Sequence, residues 1–122
     1  MRIEERTEAV ADIVSRLDAE PGEKELVASL LHDTLRAAAD AGVALTPEQR
    51  LGVGTHMLAA VRRGASREVL PPVGTDTLEQ VSRTALDLSR SILEPFAAAQ
   101  GYEWNDTEVL LLAVHFEAAM EG

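Results

Sequence analysis

The sequence predicts an all-α protein, a bundle of five helices arranged as antiparallel pairs. Three observations carry that expectation. No stretch alternates apolar and polar residues as a half-buried strand does, apolar residues recur at helical spacing from one end to the other, and alanine, the strongest helix former, is abundant throughout.

The first helix is expected from about Ile3 to Ala19, where Ile3, Val10, Ile13, Val14 and Leu17 share a face and Pro21-Gly22 ends the segment. The second is expected from about Glu23 to Asp40, with Val27, Leu30, Leu31, Thr34, Leu35 and Ala38 as its stripe and Gly42 as its terminator. His32 falls off that stripe beside Glu25, Ser29 and Arg36, and is read as a solvent-facing residue without a role. The third helix opens on a clear start signal: Thr46 as cap, Pro47 at the first helical position and Gln49 three residues after the cap. Such a cap contributes about 1 kcal/mol. Gly64 is expected to end this helix.

A connection containing Pro71, Pro72 and Gly74 leads to a long fourth helix, boxed by Asp76 and Glu79, running to about Gln100 and closed by Gly101. Leu78, Val81, Ala85, Leu88, Ile92 and Phe96 form its apolar face, and Pro95, which lacks a backbone donor, is expected to kink or split it. The last helix is expected from Asn105, boxed with Glu108, to about Met120. Its middle is apolar all round, so it either lies at the centre of the core or is covered by a second copy; a homodimer is the expected assembly.

The 122 residues suit one domain spanning the chain, burying roughly two-thirds of the unfolded surface. With 46% hydrophobic and 26% charged residues, neither disorder nor a membrane protein is indicated. The apolar run Val109 to Val114 is far short of the roughly 20 residues a membrane span needs, and no signal-peptide pattern opens the sequence. The expected location is the cytoplasm. Lack of cysteine excludes disulfides, thiolate nucleophiles and cysteine-based zinc sites. A net charge of -10 repels a phosphate backbone. The rings Phe96, Tyr102, Trp104 and Phe116 are too few for a base-stacking platform, since at least two are expected in the core. Direct nucleic-acid binding is therefore not expected.

Standard catalytic motifs are absent: there is no glycine-rich phosphate loop, no His-Glu-x-x-His and no nucleophile elbow. The residues three before His32, His56 and His115 are Ser29, Val53 and Leu112, which excludes the Glu-x-x-His pairs of a di-iron bundle. No metal, cofactor or catalytic residue is assigned, and the chain is not expected to be an enzyme. Two histidines remain as candidates. His56 shares its face with Gly52, Ala59, Ala60 and Arg63; it is either a hydrogen-bonded structural residue or, with Arg63 to grip phosphate oxygens, part of an anion site. His115 follows Glu108 by seven residues and sits among Leu111, Leu112, Ala118 and Ala119, where burial favours the neutral ring. Glu108 has a complete explanation as the third residue of the Asn105 capping box, weighed above any part in holding the imidazole.

Two segments resemble the PTS regulation domain (PRD) of bacterial antiterminators and transcriptional activators. Leu51-Gly52-Val53-Gly54-Thr55-His56-Met57-Leu58-Ala59-Ala60-Val61-Arg62-Arg63-Gly64 is similar to the family's first motif, an apolar run into a histidine with an arginine seven positions on. Asn105 to Phe116 is similar to its second, an acid seven positions before a histidine. The motifs stand 59 residues apart, and the resemblance spans roughly residues 14 to 120. It implies regulation rather than catalysis. His56 and His115 would be phosphoacceptors, Arg63 and Arg62 phosphate contacts and Glu108 a support, with the phosphocarrier HPr or a sugar permease's B component as donor and altered dimer packing as response. Thr55 stands where some members carry an acid. The sequence has one copy and no RNA-binding, helix-turn-helix or permease-like module, so a stand-alone member acting through an effector protein is expected.

Two other readings use the same residues. In one, a small sugar-phosphate-binding enzyme or enzyme subunit employs His56, Arg63 and His115 as ligand contacts. In the other, the histidines are structural and the chain scaffolds a partner.

Overall fold

The computed structural model describes residues 2–121. Among them there is no strand; five long helices and one single-turn helix make up the fold. They are α1 (Ile3–Arg16), α2 (Pro21–Asp40), α3 (Pro47–Ser66), α4 (Thr75–Leu78), α5 (Arg83–Gln100) and α6 (Asp106–Glu121). The pairs α1 with α2, α2 with α3, and α5 with α6 pack as neighbours, and α3 also packs on α6.

Local chemistry explains most of the ends. Thr46 accepts a hydrogen bond from the Gln49 N–H at 3.1 Å, while the Gln49 side chain accepts from the Thr46 N–H at 2.8 Å, closing the expected capping box. Pro21 starts α2 instead of ending the preceding segment: it takes the first helical position, where a missing N–H costs nothing, and Glu23 reaches back to the Glu20 N–H at 2.9 Å. α1 ends earlier than expected, at Arg16, because Leu17 is extended (ψ 136°). Gly64 is not a terminator. A Cβ there would overlap the Tyr102 ring, so this glycine lets the ring press on the helix, and α3 runs on to Ser66 before Arg67 turns left-handed (φ 62°).

The expected fourth helix is two helices. The break falls at residues 79–82, far from Pro95, and Ser82 caps the new start: its Oγ accepts from the Ala85 N–H at 3.2 Å. Glu117 on α6 accepts from both the Ser82 hydroxyl (2.7 Å) and its N–H (3.3 Å), anchoring the break to a distant helix. Gly74 precedes the single-turn α4, so Asp76 lies in its first turn and is no cap. Pro95 sits inside α5 on the exposed side, where water can take up the carbonyl its ring leaves unpaired.

The core is centred on Leu30, Leu31, Val53, Met57, Leu93, Leu112 and Phe116, each contributing roughly 1.5–3 kcal/mol on burial. α6 is central, with Val109, Leu110, Leu112, Ala113 and Phe116 buried, while Val114 and Met120 remain exposed. Phe96 stacks on Trp104 with centroids 5.8 Å apart, and the Trp104 indole N–H donates to the Ala60 carbonyl at 3.0 Å, fastening the α5–α6 connection to α3.

Candidate functional site

α3 presents Gly52, His56 and Arg63 on one face, one turn and then two turns apart, since residues four and seven apart align on a helix. The side chains of α6 that oppose them are His115 and, two turns earlier, Glu108. The helices run antiparallel here: Gly52 lies against His115, and Arg63 against Glu108. His56, Arg63, Glu108 and His115, drawn from the two motifs, thus form one cluster.

Glu108 is its hub. Arg63 donates from Nε to Glu108 Oε1 at 2.5 Å and from Nη2 to Oε2 at 3.0 Å, a bidentate grip. His56 Nε2 meets the same Oε2 at 3.1 Å. The Glu108 side chain is 2% exposed, His56 8% and Arg63 16%, so the hub is screened from water. Burial pushes the Glu108 carboxyl up, but hydrogen bonds from His56 and Arg63, with the guanidinium charge, outweigh it and hold the carboxyl below its usual value. The Glu108 hydrogen bond raises Arg63 in turn, and the position in the first turn of α6 further favours the carboxylate.

The two histidines differ sharply. An ionised carboxylate only accepts, so His56 Nε2 must carry the hydrogen, which leaves Nδ1 as the one ring nitrogen that could offer a lone pair. That Nδ1 is buried without a partner. His115 stacks on His56, with centroids 6.3 Å apart and planes at 25°, and is partly exposed. Burial and the adjacent His56 hold His115 below its ordinary value, which keeps the ring neutral. The space for it comes from Gly52, where a Cβ would come within 3.2 Å of His115 Cε1.

Of the residues singled out in the sequence, His56, His115, Arg63 and Glu108 are brought together. Arg62 is not. It points from α3 toward the start of α2, donating to Glu23 (2.8 and 3.2 Å) and to the Asp18 carbonyl (2.9 Å). Thr55 is exposed and bonds back to the Leu51 carbonyl. The capping box expected at α6 is only half formed: Asn105 accepts from the Thr107 N–H at 3.1 Å, but Glu108 turns away to α3 and supports His56, not His115. The Asn105 amide and Thr107 hydroxyl are spent on the carbonyls of Leu70 and Pro71, pinning the loop between α3 and α4 to the start of α6. Among the described residues no group of three or more acidic or histidine side chains is placed to hold a metal ion. Clefts of about 310 Å³ beside Tyr102 and Trp104, and about 300 Å³ between Gln80 and Val114, exclude all four clustered residues.

No protein-family model matches the sequence, and no curated protein does either. Among solved structures, the crystal structure of a PRD-containing transcription regulator from Lactobacillus casei ATCC 334 is similar to this chain with a TM-score of 0.75 and 23% sequence identity. The match covers 93% of this chain and 94% of that one, so the two share a fold over nearly their whole length.

Proposed function

We propose that the chain is a PTS regulation domain, a non-enzymatic module linked to carbohydrate uptake or use, whose histidine pair receives a phosphoryl group from HPr or a permease B component. The observation that carries this reading is the stacking of His56 and His115 beside the Arg63–Glu108 pair, because it joins both motif histidines and a guanidinium in one place. The shared fold adds weight.

The chemistry suits a switch. A neutral imidazole nitrogen can accept a phosphoryl group, which by analogy with phosphoserine adds roughly -1.5 to -2 charge and strong acceptor oxygens. Placed beside a buried carboxylate it repels Glu108, and placed beside Arg63 it competes for the guanidinium. Either effect loosens the contact of α3 with α6. Val114 and Met120 are exposed on α6, where such a change would reach a second copy or an effector protein. Ligand capture by an enzyme is less well supported, since both Nε and Nη2 of Arg63 are already committed to Glu108.

The test is phosphoryl transfer from phosphoenolpyruvate through the general phosphotransferase proteins and a panel of permease B components. The wild type is expected to gain an acid-labile phosphoryl group that the His56→Ala/His115→Ala double variant does not. A wild type unlabelled by every donor overturns the proposal.

A further inference from the structure

Resting on that reading, the question is which histidine reacts and what restrains the other. His56 is blocked twice. Its Nε2 carries a hydrogen held by the Glu108 carboxylate, and its Nδ1, the one ring nitrogen left to offer a lone pair, is buried without a partner. A phosphoryl group approaching Nε2 would also meet the negative carboxylate head-on. His115 has neither restraint: no side chain or backbone group bonds its ring among the described residues, the ring is partly exposed, and Gly52 leaves room along its Cε1–Nδ1 edge.

We propose that His115 is the primary phosphoacceptor and that Glu108 is a positioning residue that locks His56 against phosphorylation, occupying beside Arg63 the place a phosphoryl group would take. The reaction at His115 balances simply. The lone pair of a ring nitrogen forms a bond to phosphorus, the donor's N–P bond breaks, and its electron pair leaves on the donor nitrogen, as ammonia from phosphoramidate or as imidazole from a phosphohistidine. The hydrogen on the other ring nitrogen stays. His56 enters only when Glu108 lets go, which gives the pair a built-in order of modification.

Potassium phosphoramidate is the probe, because it needs no docking surface and so reports the reactivity of each ring alone. Labelled peptides are separated at neutral pH and the phosphoryl group is assigned to the His56 or His115 peptide. In the wild type His115 is expected to react at least about tenfold faster than His56, the factor for breaking one charge-assisted hydrogen bond first. In Glu108→Gln the amide NH2 faces a donor of Arg63, the grip loosens, the carboxylate charge is gone, and His56 is expected to gain label on Nε2. That gain is something a merely structural role of Glu108 would not produce. Equal or faster labelling of His56 in the wild type overturns the order, and no gain at His56 in folded Glu108→Gln overturns the lock. Should that variant fail to fold, the wild-type peptide ratio still decides the acceptor. Absence of label on both rings overturns this inference alone, since docking by protein donors is judged separately by the transfer experiment above.

Discussion

Arg63 and Glu108, 45 residues apart in sequence, face each other through two parallel hydrogen bonds in a site almost closed to water. Removing one member of a buried pair leaves the other charge uncompensated, so Arg63→Met is expected to destabilise the fold by about 3–5 kcal/mol. Arg63→Met/Glu108→Leu, which removes both charges and fills the space, is expected to recover most of that loss. Trp104, the sole tryptophan, reports unfolding in urea by its fluorescence. A double variant no more stable than the single would show that the pair matters for something other than its buried charge.

The cluster also predicts how stability responds to acid. His115 titrates below its ordinary 6.5 in the folded chain, so the unfolded chain binds more protons once the pH drops to that region. Its contribution is present above 6.5 and is lost as the pH falls through the lowered folded value. Glu108, held below 4.5, adds a second loss that begins near 4.5 and completes below its folded value. Stability measured by urea titration is therefore expected to fall in two stages, and His115→Gln to flatten the first while leaving the second.

Two glycines of α3 should respond differently to a methyl group. Gly54→Ala drives a Cβ into Ile13 of α1 and is expected to cost about 1–3 kcal/mol through overpacking. Gly52→Ala meets only the movable His115 ring at 3.2 Å, and the helix-propensity gain of about 1 kcal/mol offsets much of the push. Stability is expected to be nearly unchanged there while imidazole NMR shifts of His115 and His56 move. Unshifted imidazole signals would contradict the packing described.

Ser82 holds the start of α5 and is itself held by Glu117. Ser82→Ala is expected to cost about 1 kcal/mol, the usual loss of a cap, with faster amide exchange confined to the first turn of α5. Exchange unchanged in that turn would show that the cap does not hold the break.

Much of this fold is legible in the sequence because it is written locally. The Thr46 box, the apolar stripe of α2 and the Gly101 terminator each depend on residues within a turn or two, and the structure follows them. What escapes local reading depends on partners far along the chain. The break before α5 needs Glu117, 35 residues away, and Gly64 passes for a stop until Tyr102 is seen lying on it. The site divides the same way. Spacing alone aligns His56 with Arg63, but nothing local tells that Arg62, one residue and about 100° around the helix, turns to Glu23 instead. Glu108 is the instructive case: a position that satisfies a capping box invites a local explanation, whereas two donors on α3 offer its carboxylate more than one backbone N–H does.

The most direct test of the central claim is phosphoryl transfer from phosphoenolpyruvate through the phosphotransferase carriers, with the modified residue located by mass spectrometry at neutral pH. The account predicts one acid-labile phosphoryl group on the His115 peptide, lost in His115→Ala. A chain that stays unmodified with every carrier and permease B component, while folded by its Trp104 fluorescence, would contradict it.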